Sequence, residues 1–152
     1  MDNPSINAID LLKEDHRLVA TLLDKIADST ERAVVARKEL FDQLKLNLDV
    51  HAHIEETIFY PAIEEEKETH KIVLESYEEH ALVKDLLSEL EVEDHQTEEW
   101  TAQFMVLKEN VEHHVKEEED EMFPEVKKIL GEEKLLQLGN QMKMEKEKFI
   151  EE

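Results

Sequence analysis

Four segments of this chain place their core residues at alternating steps of three and four. The first stripe is Ile9, Leu12, His16, Val19, Leu23, Ile26, and the second is Phe41, Leu44, Leu48, His51, Glu55, Ile58, Ala62. The third is Val73, Ser76, His80, Val83, Leu87, Leu90, and the fourth is Trp100, Phe104, Leu107, Val111, His114, Glu118, Met122. Such spacing lines one side of a helix. No stretch alternates with period two over a strand's length. Glycine occurs twice and proline three times, so little interrupts long helices. Four helices with short connections predict an all-α fold, an antiparallel up-down four-helix bundle. The bundle is expected over about residues 5–130, with a short C-terminal helix over about 133–150 whose apolar side carries Leu135, Leu138 and Met142. A chain of 152 residues fits a single domain, 1–152. Ser29-Thr30 is expected to cap the second helix, Glu68-Thr69 and Glu93-Asp94 to mark connections, and Gly131 to stop the fourth helix.

An internal repeat halves the bundle. "EDHRLVATLLDKI" (14–26) matches "EEHALVKDLLSEL" (78–90) at an offset of 64, and "HAHIEETIFYP" (51–61) matches "HVKEEEDEMFP" (114–124) at an offset of 63. The fold is therefore expected to be two copies of one helical hairpin. Pro61 and Pro124 hold equivalent places and are expected to kink or end their helices alike.

His16, His51, Glu55, His80, His114 and Glu118 interrupt the apolar stripes, on all four helices and in step with the repeat. Burying such groups without partners costs several kcal/mol each, roughly. A lone histidine on an apolar stripe is explained by one hydrogen bond; six ionisable residues obeying a repeat call for a cation. The chain has no cysteine, so imidazole and carboxylate are its only strong metal ligands. In His51-x-x-x-Glu55 and His114-x-x-x-Glu118 the two side chains leave one helix face a turn apart. Each glutamate can span two ions while each histidine holds one. Four imidazoles and two bridging carboxylates then give each ion two nitrogens and two oxygens, with places left for a water, oxo or hydroxo group or a small ligand. Levels test this arrangement. Glu55 and His80 both stand about 15–17 Å above the connection that joins their helices. His16 and His51 differ by roughly 9 Å, so the second helix is expected to overhang the first, start late or bend, and the fourth likewise over the third.

The remaining histidines, His53, His70, His95 and His113, fall off the stripes or near helix ends and are expected to be solvated. Glu56, Glu117 and Glu119 are expected on the surface or behind the ligands, and Tyr60, Phe59, Met122 and Phe123 in the core. Tyr77, three residues before His80, is the candidate for a catalytic or redox role beside the ions. The formal net charge of −22 disfavours nucleic acid and anionic membranes, which are bound by clustered lysine and arginine. "MDNPSINAIDLL" lacks a basic, apolar leader, and no segment approaches a membrane span, so a cytoplasmic protein is expected.

The phrases "EDH", "HAHIEETIFYP", "EEH" and "HHVKEEEDEMFP" resemble the hemerythrin-like, HHE cation-binding family over about residues 5–130. The resemblance implies a non-haem centre of two Fe ions with a bridging oxo, hydroxo or water ligand. His16, His51, His80 and His114 would be iron ligands and Glu55 and Glu118 the bridging carboxylates. Oxygen-carrying hemerythrins have a further histidine one turn before the third-helix ligand, where this chain has Ser76, and an aspartate where it has Glu119. Glu118 is preferred as ligand because it repeats Glu55. The expected function is binding of dioxygen or a related diatomic or peroxide ligand, for oxygen, iron or redox sensing, storage or detoxification. The alternative is a di-iron redox enzyme acting on peroxide, nitric oxide or dioxygen. Any sensory output would pass through a protein redox or signalling partner. Imidazole–carboxylate sites also suit manganese and zinc.

Overall fold

The structure, a computed structural model, describes residues 5–151. Its helices are α1 (Ala8–Asp28), α2 (Val34–Ile54), α3 (Tyr60–Ile63), α4 (His70–Val92), α5 (Glu98–Glu117), α6 (Phe123–Ile129) and α7 (Glu132–Glu151). No strand occurs among the described residues. Two π-helical turns, Glu55–Phe59 and Glu118–Met122, join α2 to α3 and α5 to α6 without a break. The bundle is thus α1, α2–α3, α4 and α5–α6, two helical hairpins side by side.

Pro61 and Pro124 follow the π turns and end neither helix. A π turn closes i→i+5 hydrogen bonds, and here the N–H of Tyr60 reaches Glu55 O and that of Phe123 reaches Glu118 O. The extra residue in each turn rotates everything after it. Beyond Glu55 the buried residues are Phe59, Tyr60 and Ile63, whereas Ile58 and Ala62 of the expected stripe are only half-buried.

The α1 N-terminus is capped by the Asn7 side chain, which accepts from the Asp10 N–H at 2.9 Å. Ser29 does not cap α2. It ends α1, its hydroxyl donating to Ile26 O, and α2 starts only at Val34 with no side-chain cap. This delayed start removes about 3 Å of the mismatch of levels, and the contact of Arg37 with the end of α1 accounts for more of it. Buried Arg37 in the first turn of α2 donates to Ser29 Oγ and Ser29 O, which sets that turn against the end of α1. His16 lies 13 residues before Ser29 and His51 lies 14 after Arg37. Both distances are about 20 Å of helix. Arg37 also donates to His95 O at 2.8 Å and Thr101 Oγ1 at 3.1 Å, and its guanidinium lies 4.8 Å over the Trp100 ring. The Trp100 indole in turn donates to Leu90 O, so one end of the bundle is tied across both hairpins.

α7 is no short appendage. It has 20 residues, and Leu135, Leu138 and Met142 pack with Ile9, Leu12, Phe59 and Phe123. Gly139 lets it close on the chain start: a Cβ there would overlap Ile6 O and Ala8 N. Gly131 lies in the short break before α7, after α6 ends with Leu130 in extended conformation.

Candidate metal centre

The apolar interior comes in two pieces with a polar layer between them. On α1, Leu12 belongs to one cluster and Val19 to the other, with Asp15 and His16 between. Leu48 and Ile54 flank His51, Val73 and Leu87 flank Ser76 and His80, and Val111 and Met122 flank His114 and Glu118 in the same way. Helical periodicity therefore places the polar residues of all four helices at one height. They are deeply buried: Glu55 is 0% and Glu118 1% exposed, and His16, His51 and His114 are 4–7% exposed.

Glu55 stands between the hairpins, its Oε1 3.3 Å from His51 Nε2 and 3.0 Å from His80 Nε2. Glu118 does the same from the other side, with Oε1 3.0 Å from His16 Nε2 and Oε2 3.4 Å from His114 Nε2. Two donor groups result, His16–His51–Glu55–Glu118 and Glu55–His80–His114–Glu118. Within each, one atom per residue falls within 4.8 Å of all the others.

Each imidazole turns its Nε2 inward and is held by a carboxylate at Nδ1. Glu119 holds His16 at 2.6 Å, Asp15 holds His51 at 3.0 Å, Glu56 holds His80 at 2.7 Å and Glu79 holds His114 at 2.6 Å. Such contacts fix the ring orientation and raise imidazole basicity, the usual arrangement behind metal-bound histidine. These carboxylates obey the repeat too. Asp15 and Glu79 match at an offset of 64, and Glu56 and Glu119 at 63. The sequence placed Glu56 and Glu119 on the surface or behind the ligands and overlooked Asp15 and Glu79. The signal was present in "EDH" and "EEH", but each acid serves a histidine on another helix. His53 and His95 are likewise less solvated than expected. His53 bonds Glu145 at 2.9 Å, and His95 bonds Leu90 O and packs on Phe41 and Trp100. His70 and His113 are exposed.

Tyr60 is the main addition. Its hydroxyl donates to Glu118 Oε2 at 2.5 Å and to Glu55 Oε1 at 3.1 Å, and lies 3.4 Å from His80 Nε2. The π turn explains this: residue i+5 shares the face of residue i there, so Tyr60 sits over Glu55. Tyr77 makes no hydrogen bond with the donors; its ring packs edge-on against Tyr60 at 5.4 Å. The residue that repeats Tyr60 is Phe123, whose ring stacks on His16 at 6.0 Å. Ser76 is buried and donates to Ile72 O.

Electrostatics of the layer are those of charges brought together under burial. Burial opposes protonation of His51, but Glu55 and Asp15 beside it raise its pKa to about 10. His114 is likewise raised well above the usual imidazole range against burial, by Glu118, and His80 is raised against burial by Glu55 and Glu56. Burial pushes Glu55 toward protonation, yet His51 and its other neighbours hold it well below the carboxylate range. Burial, with Glu118 and Glu55 adjacent, keeps the Tyr60 phenol neutral far above its usual pKa.

The donor set fits a pair of cations. Of the three buried side-chain polar atoms without a hydrogen-bond partner among the described residues, two are His51 Nε2 and Glu55 Oε2. His51 Nε2 is near Glu55 Oε1, but the angle makes no hydrogen bond. His80 Nε2 and His114 Nε2 face each other at 3.2 Å, an arrangement that needs a proton or a cation between them. A partly open cavity of about 530 Å³ reaches the layer, lined by His51, His80 and His114 and by Leu48, Val83 and Leu87. No helix among the described residues is long and apolar enough to cross a membrane.

The family model described as Hemerythrin HHE cation binding domain matches residues 7–126. The chain is 28% identical over 138 residues to the uncharacterized protein Rv2633c of Mycobacterium tuberculosis, covering 90% of this chain and 83% of that one. It is 26% identical over 151 residues to a DNA nickase of Nostoc sp., covering 97% of this chain but only 41% of the nickase. The crystal structure of a Hemerythrin HHE cation binding domain-containing protein from Mycobacterium kansasii, a homolog of Rv2633c, aligns with a TM-score of 0.83 and 31% identity. That match covers 95% of this chain and 87% of the other.

Proposed function

The chain belongs to the hemerythrin HHE cation-binding family, and on that basis we propose that its buried layer holds two iron ions that take up dioxygen or a related small oxidant. His16 and His51 would ligate one ion, His80 and His114 the other, and Glu55 and Glu118 would bridge them. One observation carries this reading: each glutamate lies between an imidazole of one hairpin and an imidazole of the other, so two four-donor groups share both carboxylates. Two divalent ions would bring four positive charges to a layer with two bridging carboxylates. Iron would supply the redox electrons and the open coordination positions. The chain's own residues do the rest. Asp15, Glu56, Glu79 and Glu119 fix the imidazoles, the two apolar clusters exclude water above and below, and the cavity that His16, His51, His80 and His114 line admits a small molecule. The role would be sensing, storage or detoxification, with any signal passed to a partner protein.

A second reading, a redox enzyme acting on peroxide, nitric oxide or dioxygen, is favoured by Tyr60, whose neutral hydroxyl holds a proton between the two carboxylates. Nicking of DNA is named for the longer Nostoc relative; the charge of −22 argues against a phosphate backbone as partner here. Anaerobic loading with ferrous iron should give two irons per chain, and admission of oxygen should produce near-ultraviolet and visible charge-transfer absorption. Fewer than two irons, or two irons with an oxygen-insensitive spectrum, would refute the proposal. Multiple turnovers with peroxide or nitric oxide would select the enzyme.

A further inference from the structure

The donor layer has near two-fold symmetry, and α7 breaks it. The family match ends at residue 126, before α7 begins at Glu132. Yet α7 reaches the layer, because Lys146 Nζ donates to Asp15 Oδ1 at 2.5 Å while Asp15 Oδ2 holds His51 Nδ1. Asp15 is 7% exposed, while the Lys146 side chain is 28% exposed, so the carboxylate is buried and the lysine reaches it from the surface. The residue that repeats Asp15 is Glu79, and among the described residues Glu79 meets no lysine or arginine. It gathers instead with Glu117 and His113. Geometry registers the difference. The three carboxylate–Nδ1 distances without a lysine are 2.6, 2.7 and 2.6 Å, and the one with Lys146 is 3.0 Å.

A carboxylate behind an imidazole strengthens it as a ligand. A lysine on that carboxylate takes back part of the effect. We infer that Lys146 is a positioning residue that grades the two cation positions, so that the His80–His114 position binds its ion more tightly than the His16–His51 position. This rests on the ligand assignment proposed above but not on iron or oxygen chemistry. The pair then loads in order, the His80–His114 position first.

Cobalt(II) titration of the metal-free full chain, followed by calorimetry and by ligand-field absorption, tests this. The wild type should bind two ions in two unequal steps. Lys146→Met, which keeps the aliphatic stem and removes the charge, should tighten the weaker step by about tenfold, the low end for outer partners of metal ligands, and leave the stronger step in place. Lys146→Gln should do the same, and Lys146→Arg should restore the wild-type pattern. In a His51→Ala background Lys146→Met should change nothing, and in a His80→Ala background it should tighten the remaining step. Equal steps in the wild type overturn the inference. So does a Lys146→Met or Lys146→Gln effect on both steps or on neither, or an effect that persists without His51. Fewer than two cobalt ions bound would remove the ligand assignment as well, whereas graded cobalt binding without oxygen chemistry would sink only the iron–oxidant function.

Discussion

Replacing Tyr60 by phenylalanine removes one oxygen atom from the centre of the bundle. The ring would keep its place, since Phe123 occupies the repeat-related position and both rings are buried. What is lost is the donor that faces Glu118 Oε2 at 2.5 Å and Glu55 Oε1 at 3.1 Å. Hydrogen bonds to charged groups contribute about 1.5–3 kcal/mol, and Tyr60 is 0% exposed, so no water replaces it readily. The metal-free variant should therefore lose about 2 kcal/mol, or about 4–8 °C of melting temperature for a domain of this size. With two cations bound, the carboxylates have other partners, and the loss should shrink to under about 1 kcal/mol. Urea titration and calorimetry of the metal-free and loaded forms give both numbers. An equal loss in the two forms would show that the hydroxyl does not serve the carboxylates. A change under about 1 °C in the metal-free form would show that the contact carries no stability.

Three other outcomes follow from the same geometry. His51→Ala combined with His114→Ala should abolish binding of the second ion and most of the first, and the melting-temperature gain on metal loading should disappear; an unchanged gain refutes the ligand assignment. Without metal, His51 is raised from 6.5 to about 10, so its contribution is full below pH 6.5 and is lost as pH rises through about 10. His80 and His114 shift in the same direction, so the metal-free protein should melt higher at pH 6 than at pH 9.5, and metal binding at neutral pH should release about two protons, seen as buffer-dependent calorimetric heats. Arg37→Met should cost about 1–3 kcal/mol in urea unfolding, because it strands Ser29 O and His95 O at a half-buried helix junction while leaving metal stoichiometry at its wild-type value.

Much of the donor layer was visible in the chain before folding. Period 3.6 fixes which side chains share a helix face, so His16, His51, Glu55, His80, His114 and Glu118 could be found as polar breaks in apolar stripes, and the repeat chose His114 over His113. The failures came where one helix could not inform. Ser29 looked like the cap of α2 because hydroxyl residues favour that place, but Arg37 drew it to the end of α1. Past Glu55 an α-helical period points to Ile58 and Ala62, but the π turn moves the buried face to Phe59 and Ile63.

The amino-acid order alone determined four amphipathic helices, their pairing into two like hairpins and which ionisable residues face the core, because each of these follows from a local period; counting rise set Glu55 level with His80 but left His16 and His51 about 9 Å apart until the fold brought them level. Only the packed fold decided that Tyr60 rather than Tyr77 faces the carboxylates, that every imidazole borrows its carboxylate from a different helix, and that Lys146 from α7 makes the two halves unequal. Those are relations between helices, set by rotation about each axis and by the distance of closest approach, and no single helical period encodes them.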